Sequence, residues 1–375
     1  MISLVKGIGN YLKKTDKLLW LLVLAVTGYG LFTIIFVSQK FGVKGLTTQY
    51  AATAIGIVAC LIVSKIDYND LASLWKLYAP AAYLFVLALF IWGVGGVGKE
   101  AADDKNWLII FGVSIQPTEI LKITFIMEFA YHLSWVGEDL NQPAHLILLA
   151  LHAITPVFII YLLGDDGTAL VFVLIAVIMV IIAGLAWQYI LAGAGALVVM
   201  IPVAWNFLLE DHHKKRFLAV WGNISDEKGS QWQQLRSIVS IGSGQITGVG
   251  IHAEKYMQFD EIYNDFIFSF VGQVFGFVGC LLLISLIVAL CIKILSVSRF
   301  STNNLGVHIC VGIFAMIICQ SIINIGMCLM LSPVVGITLP FFSKGGSSII
   351  SVYICIGLVL SVYMHSGVGL FETRR

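Results

Sequence analysis

The stretch NDFIFSFVGQVFGFVGCLLLISLIVALC, residues 264–291, carries a single charge, Asp265, at its start. A carboxylate at the head of an apolar helix has two uses. It can cap the helix or favour its dipole, worth roughly 0.3–2 kcal/mol. It can also act as a general base that takes the proton of a weak nucleophile, such as a sugar hydroxyl. In the second use the helix start would hold it ionised and fixed. A second constellation is QPTEILK, residues 116–122. Pro117 suits a helix start, where its missing N–H costs little. Glu119 and Lys122 sit three apart, share a face and can pair. Such a pair either neutralises itself near the membrane interface or leaves Lys122 as a cation that holds phosphate from the apolar side.

Asp165 and Asp166 lie in LLGDDGTAL between two glycines. Aspartates are ordinary turn residues, and adjacent carboxylates can also help to hold a hard cation. Their spacing matches no dedicated metal motif. The eight histidines give no metal spacing either; His132, His145, His152, His308 and His365 read as isolated, and His212-His213 adjoin a basic run. That run, Lys214, Lys215 and Arg216, continues with Lys228, Arg236 and Lys255. These cations could serve a phosphate-bearing ligand, or simply balance the acids of the same loop. SIGSGQITGVG, residues 240–250, is glycine-rich, so its backbone can approach a ligand closely or turn left-handed. It lacks the Gly-Lys-Ser/Thr of a P-loop. LSPVVGITLPFFSKGGSS, residues 331–348, interrupts helix with two prolines and three glycines and contains Ser343 and Lys344. Irregular backbone at membrane depth must be buried in protein or line a wet cavity, so a binding site is expected there.

The elements that must position these residues follow from composition. The 375 residues are 59% apolar and 11% charged, against about a quarter charged in a soluble chain. Runs of about 20 apolar residues read as membrane-spanning helices. The expected fold is an all-α polytopic membrane protein. Its spans, about ten, lie near 18–37, 47–64, 77–97, 119–136, 144–163, 167–185, 187–209, 264–295, 305–331 and 346–370. No linker divides the chain, so residues 1–375 form one domain with a large extracytoplasmic loop at 210–264. Lys and Arg near the span ends favour cytoplasmic termini: Lys6, Lys13, Lys14 and Lys17 precede the first span and Arg374-Arg375 follow the last. No cleavable signal is seen at the N-terminus. The seven cysteines lie in apolar runs without a CxxC pair and read as small buried residues. A net charge of +1 by itself predicts no partner, and no nucleic acid is expected.

The motifs QPTEILK, DDGTA, SIGSGQITGVG, NDFIFSFVGQVFGFVG, QSIINIGM and LSPVVGITLPFFSKGGSSII stand in this order along the chain. Together they resemble the SEDS (shape, elongation, division and sporulation) family of RodA, FtsW and SpoVE. The resemblance spans all the expected helices. The short N-terminus and KIDYNDL, residues 65–71, look closer to the rod-shape branch. Family members polymerise lipid II, the undecaprenyl-pyrophosphate-linked disaccharide-peptide, into glycan strands beside a class B penicillin-binding protein. The resemblance thus implies a peptidoglycan glycosyltransferase of the bacterial cytoplasmic membrane, active in elongation, division or sporulation. The family's essential aspartate falls on Asp265. Its intramembrane pair falls on Glu119 and Lys122, and the aspartate of its PDLGTA-like motif on Asp165. Arg216, Lys344 and Ser343 are further expected substrate contacts. Some positions depart from the family: Asp260-Glu261 stands for Pro-Glu, Asn264 for a threonine and Gln273-Val274 for Glu-Glu. These departures point to a divergent paralogue.

The implied reaction displaces a pyrophosphate, whose growing charge needs cations or a metal. A divalent cation, Mg or Mn, is the one cofactor expected. A lipid II flippase or transporter would share broken helices and intramembrane charges. A catalytically weak scaffold for the penicillin-binding protein would share the partner and the membrane lipids.

Overall fold

A computed structural model describes residues 11, 13–42, 45–95, 105–208, 214, 218, 220, 230–253 and 255–366; Arg216 lies outside them. The helices are α1 Lys17–Phe41, α2 Leu46–Val63, α3 Tyr68–Ser73, α4 Trp75–Leu87, α5 Leu89–Trp92, α6 Pro117–Val136, α7 Pro143–Leu162, α8 Asp166–Ile182, α9 Trp187–Val203, α10 Ser230–Ser243, α11 Ile267–Ser298, α12 Asn304–Cys328 and α13 Gly346–Met364. Among the described residues, eight helical stretches are long and apolar enough to cross a membrane. α6 and α8 occupy the fourth and sixth expected spans. α6 carries Glu119, Lys122 and Glu128 within 20 residues, and α8 is only 17 residues long. The chain is a polytopic helical membrane protein.

Local chemistry sets several helix starts. Asp16 accepts from the Leu19 N–H at 2.9 Å, and Lys293 of α11 pairs with its other oxygen, which ties α1 to α11. Pro117 stands in the first turn of α6. Asn303 caps α12 through the Gly306 N–H at 3.1 Å. α12 and α13 are the most buried spans, and α13 lies along α2. α9 has no buried residue, so it presents apolar side chains all round, as a lipid-facing helix does. All seven cysteines are buried and free.

Three features depart from the sequence reading. A short antiparallel hairpin, β1 Leu108–Ile110 with β2 Val113–Ile115, precedes α6. Its two-residue turn, Phe111-Gly112, has positive φ at both positions, the geometry that suits a hairpin's twist. Second, the stretch expected as an outer loop is partly packed against the spans. α10 turns Gln234, Ser237 and Ser240 inward and leaves Leu235, Ile238 and Val239 exposed. Gln234 Nε2 donates to the carbonyls of Met327 and Ser332, and Ser237 Oγ to that of Cys328. Third, α11 breaks at Gly276, with φ +64° and ψ −161°. A break inside a span frees backbone groups that lipid cannot satisfy. Residues 245–250 satisfy them. The Val249 and Gly250 N–H groups donate to the carbonyls of Gln273 and Val274, and the Phe277 and Val278 N–H groups to those of Gln245 and Ile246. A Cβ at Gly276 would stand 2.3 Å from the Gly248 nitrogen. The glycines of 240–250 therefore bring backbone to backbone, where a close approach to ligand was one expectation.

Candidate active site

The helix gap between α12 and α13 is a buried re-entrant segment: Ile337, Leu339, Phe341 and Phe342 are almost fully enclosed. It is the wall to which the candidate residues attach. A Cβ at Gly336, where φ is +65°, would stand 3.8 Å from Asp265 Oδ2. A Cβ at Gly167, at the start of α8, would stand 2.1 Å from the Val335 carbonyl oxygen, so only glycine lets the segment reach the turn beside Asp165.

Asp265 does not cap α11. The N-cap position is Phe266, and no side chain caps the helix. Its backbone is fixed instead: Asn324 Nδ2 donates to the Asp265 carbonyl at 2.7 Å, and Ser343 Oγ donates to the neighbouring Asn264 carbonyl at 2.7 Å. Asp265 as a residue is half-buried. Burial, together with the like charges of Glu261 and Asp165, pushes its pKa up to about 7. The expectation that the helix start holds it firmly ionised is therefore corrected. Close packing and negative neighbours outweigh the dipole, which leaves the group poised near neutrality.

Glu119 and Lys122 pair as their spacing predicts, with Nζ 2.8 Å from Oε1. Ser351 of α13 donates to Oε2 at 2.6 Å. Lys122 is only 1% exposed, so it faces protein. Beside the pair lies a polar cavity of about 20 Å³, lined by Gln116, Glu119, Lys122, Thr168, Gln320 and Thr338 among others. That volume suits one water. Asp165 accepts from the Thr168 N–H at 2.9 Å and caps α8, the turn role open to it. Ser343 is buried; it donates to Asn264 and accepts from the Leu339 N–H at 2.7 Å. Its hydroxyl thus fixes the chain beside Asp265 and faces protein. Lys344 is half-buried beside it, with Nζ 5.1 Å from the centre of the Tyr263 ring. Burial lowers its pKa, and Glu261 opposes that shift.

Asp265, Asp165, Lys344 and the Glu119–Lys122 pair therefore meet around one segment. No three His, Cys, Asp or Glu side chains among the described residues gather closely enough to hold a metal ion. Sequence reasoning missed Asn324 and Glu261. Gln320 and Asn324 were visible as polar residues one turn apart in an apolar helix, a signal that they share a face. It also took His132 and His152 as isolated. His132 and His152 meet at 3.0 Å between their Nδ1 atoms, and His152 Nε2 lies 3.4 Å from Glu128 of α6. The 20-residue separation across two helices hides that cluster from local inspection.

Relatives extend over nearly the whole chain. A probable peptidoglycan glycosyltransferase FtsW of Geobacter metallireducens is 28% identical over 94% of this chain and 95% of its own. The peptidoglycan glycosyltransferase MrdB of Escherichia coli K12 is 26% identical over 93% and 94%. Among solved structures, a chain from a peptidoglycan synthase complex that coordinates polymerization and crosslinking superposes with a TM-score of 0.78, at 25% identity, over 95% of this chain and 99% of that one. The rod shape determining protein RodA of Thermus thermophilus shares the fold with a TM-score of 0.66 at 23% identity, over 93% and 96%. The family model of the FtsW, RodA and SpoVE cell cycle proteins matches residues 16–367, and the chain belongs to that family.

Proposed function

We propose that the protein is a peptidoglycan glycosyltransferase that polymerises lipid II at the outer face of the bacterial cytoplasmic membrane. One observation carries this reading: an uncapping carboxylate, Asp265, is fastened by its backbone at the head of a span and sits near neutrality. A general base works best with a pKa near the operating pH. The names of the relatives support the same reaction class.

In the proposed step, Asp265 takes the proton of the acceptor sugar hydroxyl. The oxygen bonds to the donor's anomeric carbon, and the bond from that carbon to the pyrophosphate breaks. Its electron pair leaves on the phosphate oxygen, and the configuration inverts. Lys344 and the basic stretch around Arg216 are the proposed cations for that developing charge. Glu119, Lys122, Asp165 and Ser343 are proposed to position the site, since their polar groups are engaged within the protein. A divalent cation, Mg or Mn, enters this proposal only as a companion of the pyrophosphate, and no step runs through it. We further propose ten spans in a single domain, cytoplasmic termini, the 210–264 stretch on the outer side and a class B penicillin-binding protein as partner.

The test uses the purified full chain in detergent with lipid II, with and without that partner. Glycan polymer is expected in detergent, where no two sides exist. Lipid II movement across sealed vesicles without polymer would replace the proposal with transport. Neither activity, with the partner still bound, would leave a scaffold.

A further inference from the structure

Asn324 lies deep in α12 and is fully buried. An amide inside an apolar helix is costly unless its hydrogen bonds are made. Its Nδ2 donates to two backbone carbonyls, Asp265 and Ile337, each at 2.7 Å. These belong to different parts of the chain. One precedes α11 and carries the candidate base, and the other lies in the re-entrant segment next to Gly336. Both N–H bonds are spent, so the orientation of the amide is settled: turned over, its oxygen would face two carbonyl oxygens. Its Oδ1 is buried with no hydrogen-bond partner in the protein.

The rest of the α12 face points the same way. Cys328, one turn on, has its Sγ 3.7 Å from the same Asp265 carbonyl, a weak contact. Gln320, one turn back, lines the cavity beside Glu119 and Lys122. Residues four apart share a helix face, so one stripe of α12 spans from the cavity to the base. No other side chain among the described residues donates to both carbonyls.

We infer that Asn324 is a further positioning residue of this site, a two-pronged clamp that sets the Asp265 carboxylate against the Gly336–Ile337 backbone. The inference rests on the proposed polymerase reading. Without the clamp the Asp265 segment is free to shift, and misplacement by about 1 Å can cost about a hundredfold in rate. The carboxylate would also meet more water, which draws its pKa back toward the ordinary carboxylate range.

The experiment compares wild type with Asn324→Leu, which keeps similar volume and removes both donors, and Asn324→Gln, which keeps the amide on a longer stem. Polymerisation of lipid II is measured with the partner present across pH. For Asn324→Leu, kcat should fall roughly ten- to a hundredfold, KM should stay within about twofold, and the acid limb should move to lower pH. Asn324→Gln should recover part of kcat. Should the leucine variant not fold, the glutamine variant carries the test: a reduced kcat with the same acid-limb movement supports the clamp. Wild-type kcat, a changed KM at unchanged kcat, or a loss with an unmoved acid limb would each overturn it. Wild-type protein without polymerase activity, or an active Asp265→Asn variant, would instead defeat the parent reading.

Discussion

Glu119 has a lysine at 2.8 Å and a serine hydroxyl at 2.6 Å. Asp265, beside Gly336 of the same re-entrant segment, has Glu261 and Asp165 for charged neighbours. The first carboxylate is neutralised and hydrogen-bonded on both oxygens, as a buried charge must be. The second is raised in energy by its surroundings and is held by its backbone. A group whose charge is satisfied has little left to offer a substrate. A group kept near the balance between its two protonation states can accept and return a proton. The contrast separates a part that holds the fold from a part that does chemistry, and substitutions can break it.

The largest effect is expected at Asp265. Asp265→Asn keeps the shape and removes the base, so glycan synthesis should fall at least about a hundredfold, the scale of general-base catalysis. Folding should not suffer. The folded-state pKa is raised from 3.8 to about 7, so this group's contribution to stability is full below its unfolded value and is lost as pH rises through about 7. The asparagine variant should melt no lower than wild type above pH 7. Abundant polymer from it, read on a gel, would erase the distinction.

At the Glu119–Lys122 pair, activity and stability should move together. Lys122→Met strands a buried carboxylate, and breaking such a pair costs about 3–5 kcal/mol. Folded yield, thermal stability and polymer should all drop. Adding Glu119→Gln should restore most of each. A double variant that is stable yet inactive would place Lys122 in contact with substrate.

The smallest effect sharpens the electrostatic half of the comparison. A base must be ionised to act, so wild-type kcat/KM should fall as pH drops below about 7. Glu261→Gln removes one like charge, which favours ionised Asp265. The acid limb should then move to lower pH, by less than about one unit. An unmoved limb would remove Glu261 from the account.

How much of this could be read in the sequence follows from how local each cause is. The Glu119–Lys122 pair rests on helix periodicity, and Pro117 and the prolines at 333 and 340 mark backbone that cannot continue a regular helix. Those features were legible. The fastening of Asp265 was not. Its donors, Asn324 and Ser343, come from 59 and 79 residues away in the hydrogen bonds they make, and no periodicity relates such positions. The glycines of 240–250 were visible, but their partner was not. Glycine permits close approach without saying to what, and here it is the broken backbone of α11. The inward serines of α10 invert the usual amphipathic pattern, because what they meet is a row of carbonyls and not an apolar core.

That break also bears on how the chain is assembled. α11 is apolar enough to enter the bilayer on composition alone, but at Gly276 its own ladder cannot close. The missing strands of hydrogen bonding come from residues 245–250, which are synthesised before it. The two must arrive as a unit, a short arm and a long helix zipped together across the bend, or the helix waits in the membrane with open backbone. Biogenesis of this region is therefore a docking event between neighbours in the chain. A foreign sequence inserted after residue 250 is tolerated only if its ends still let the arm fold back.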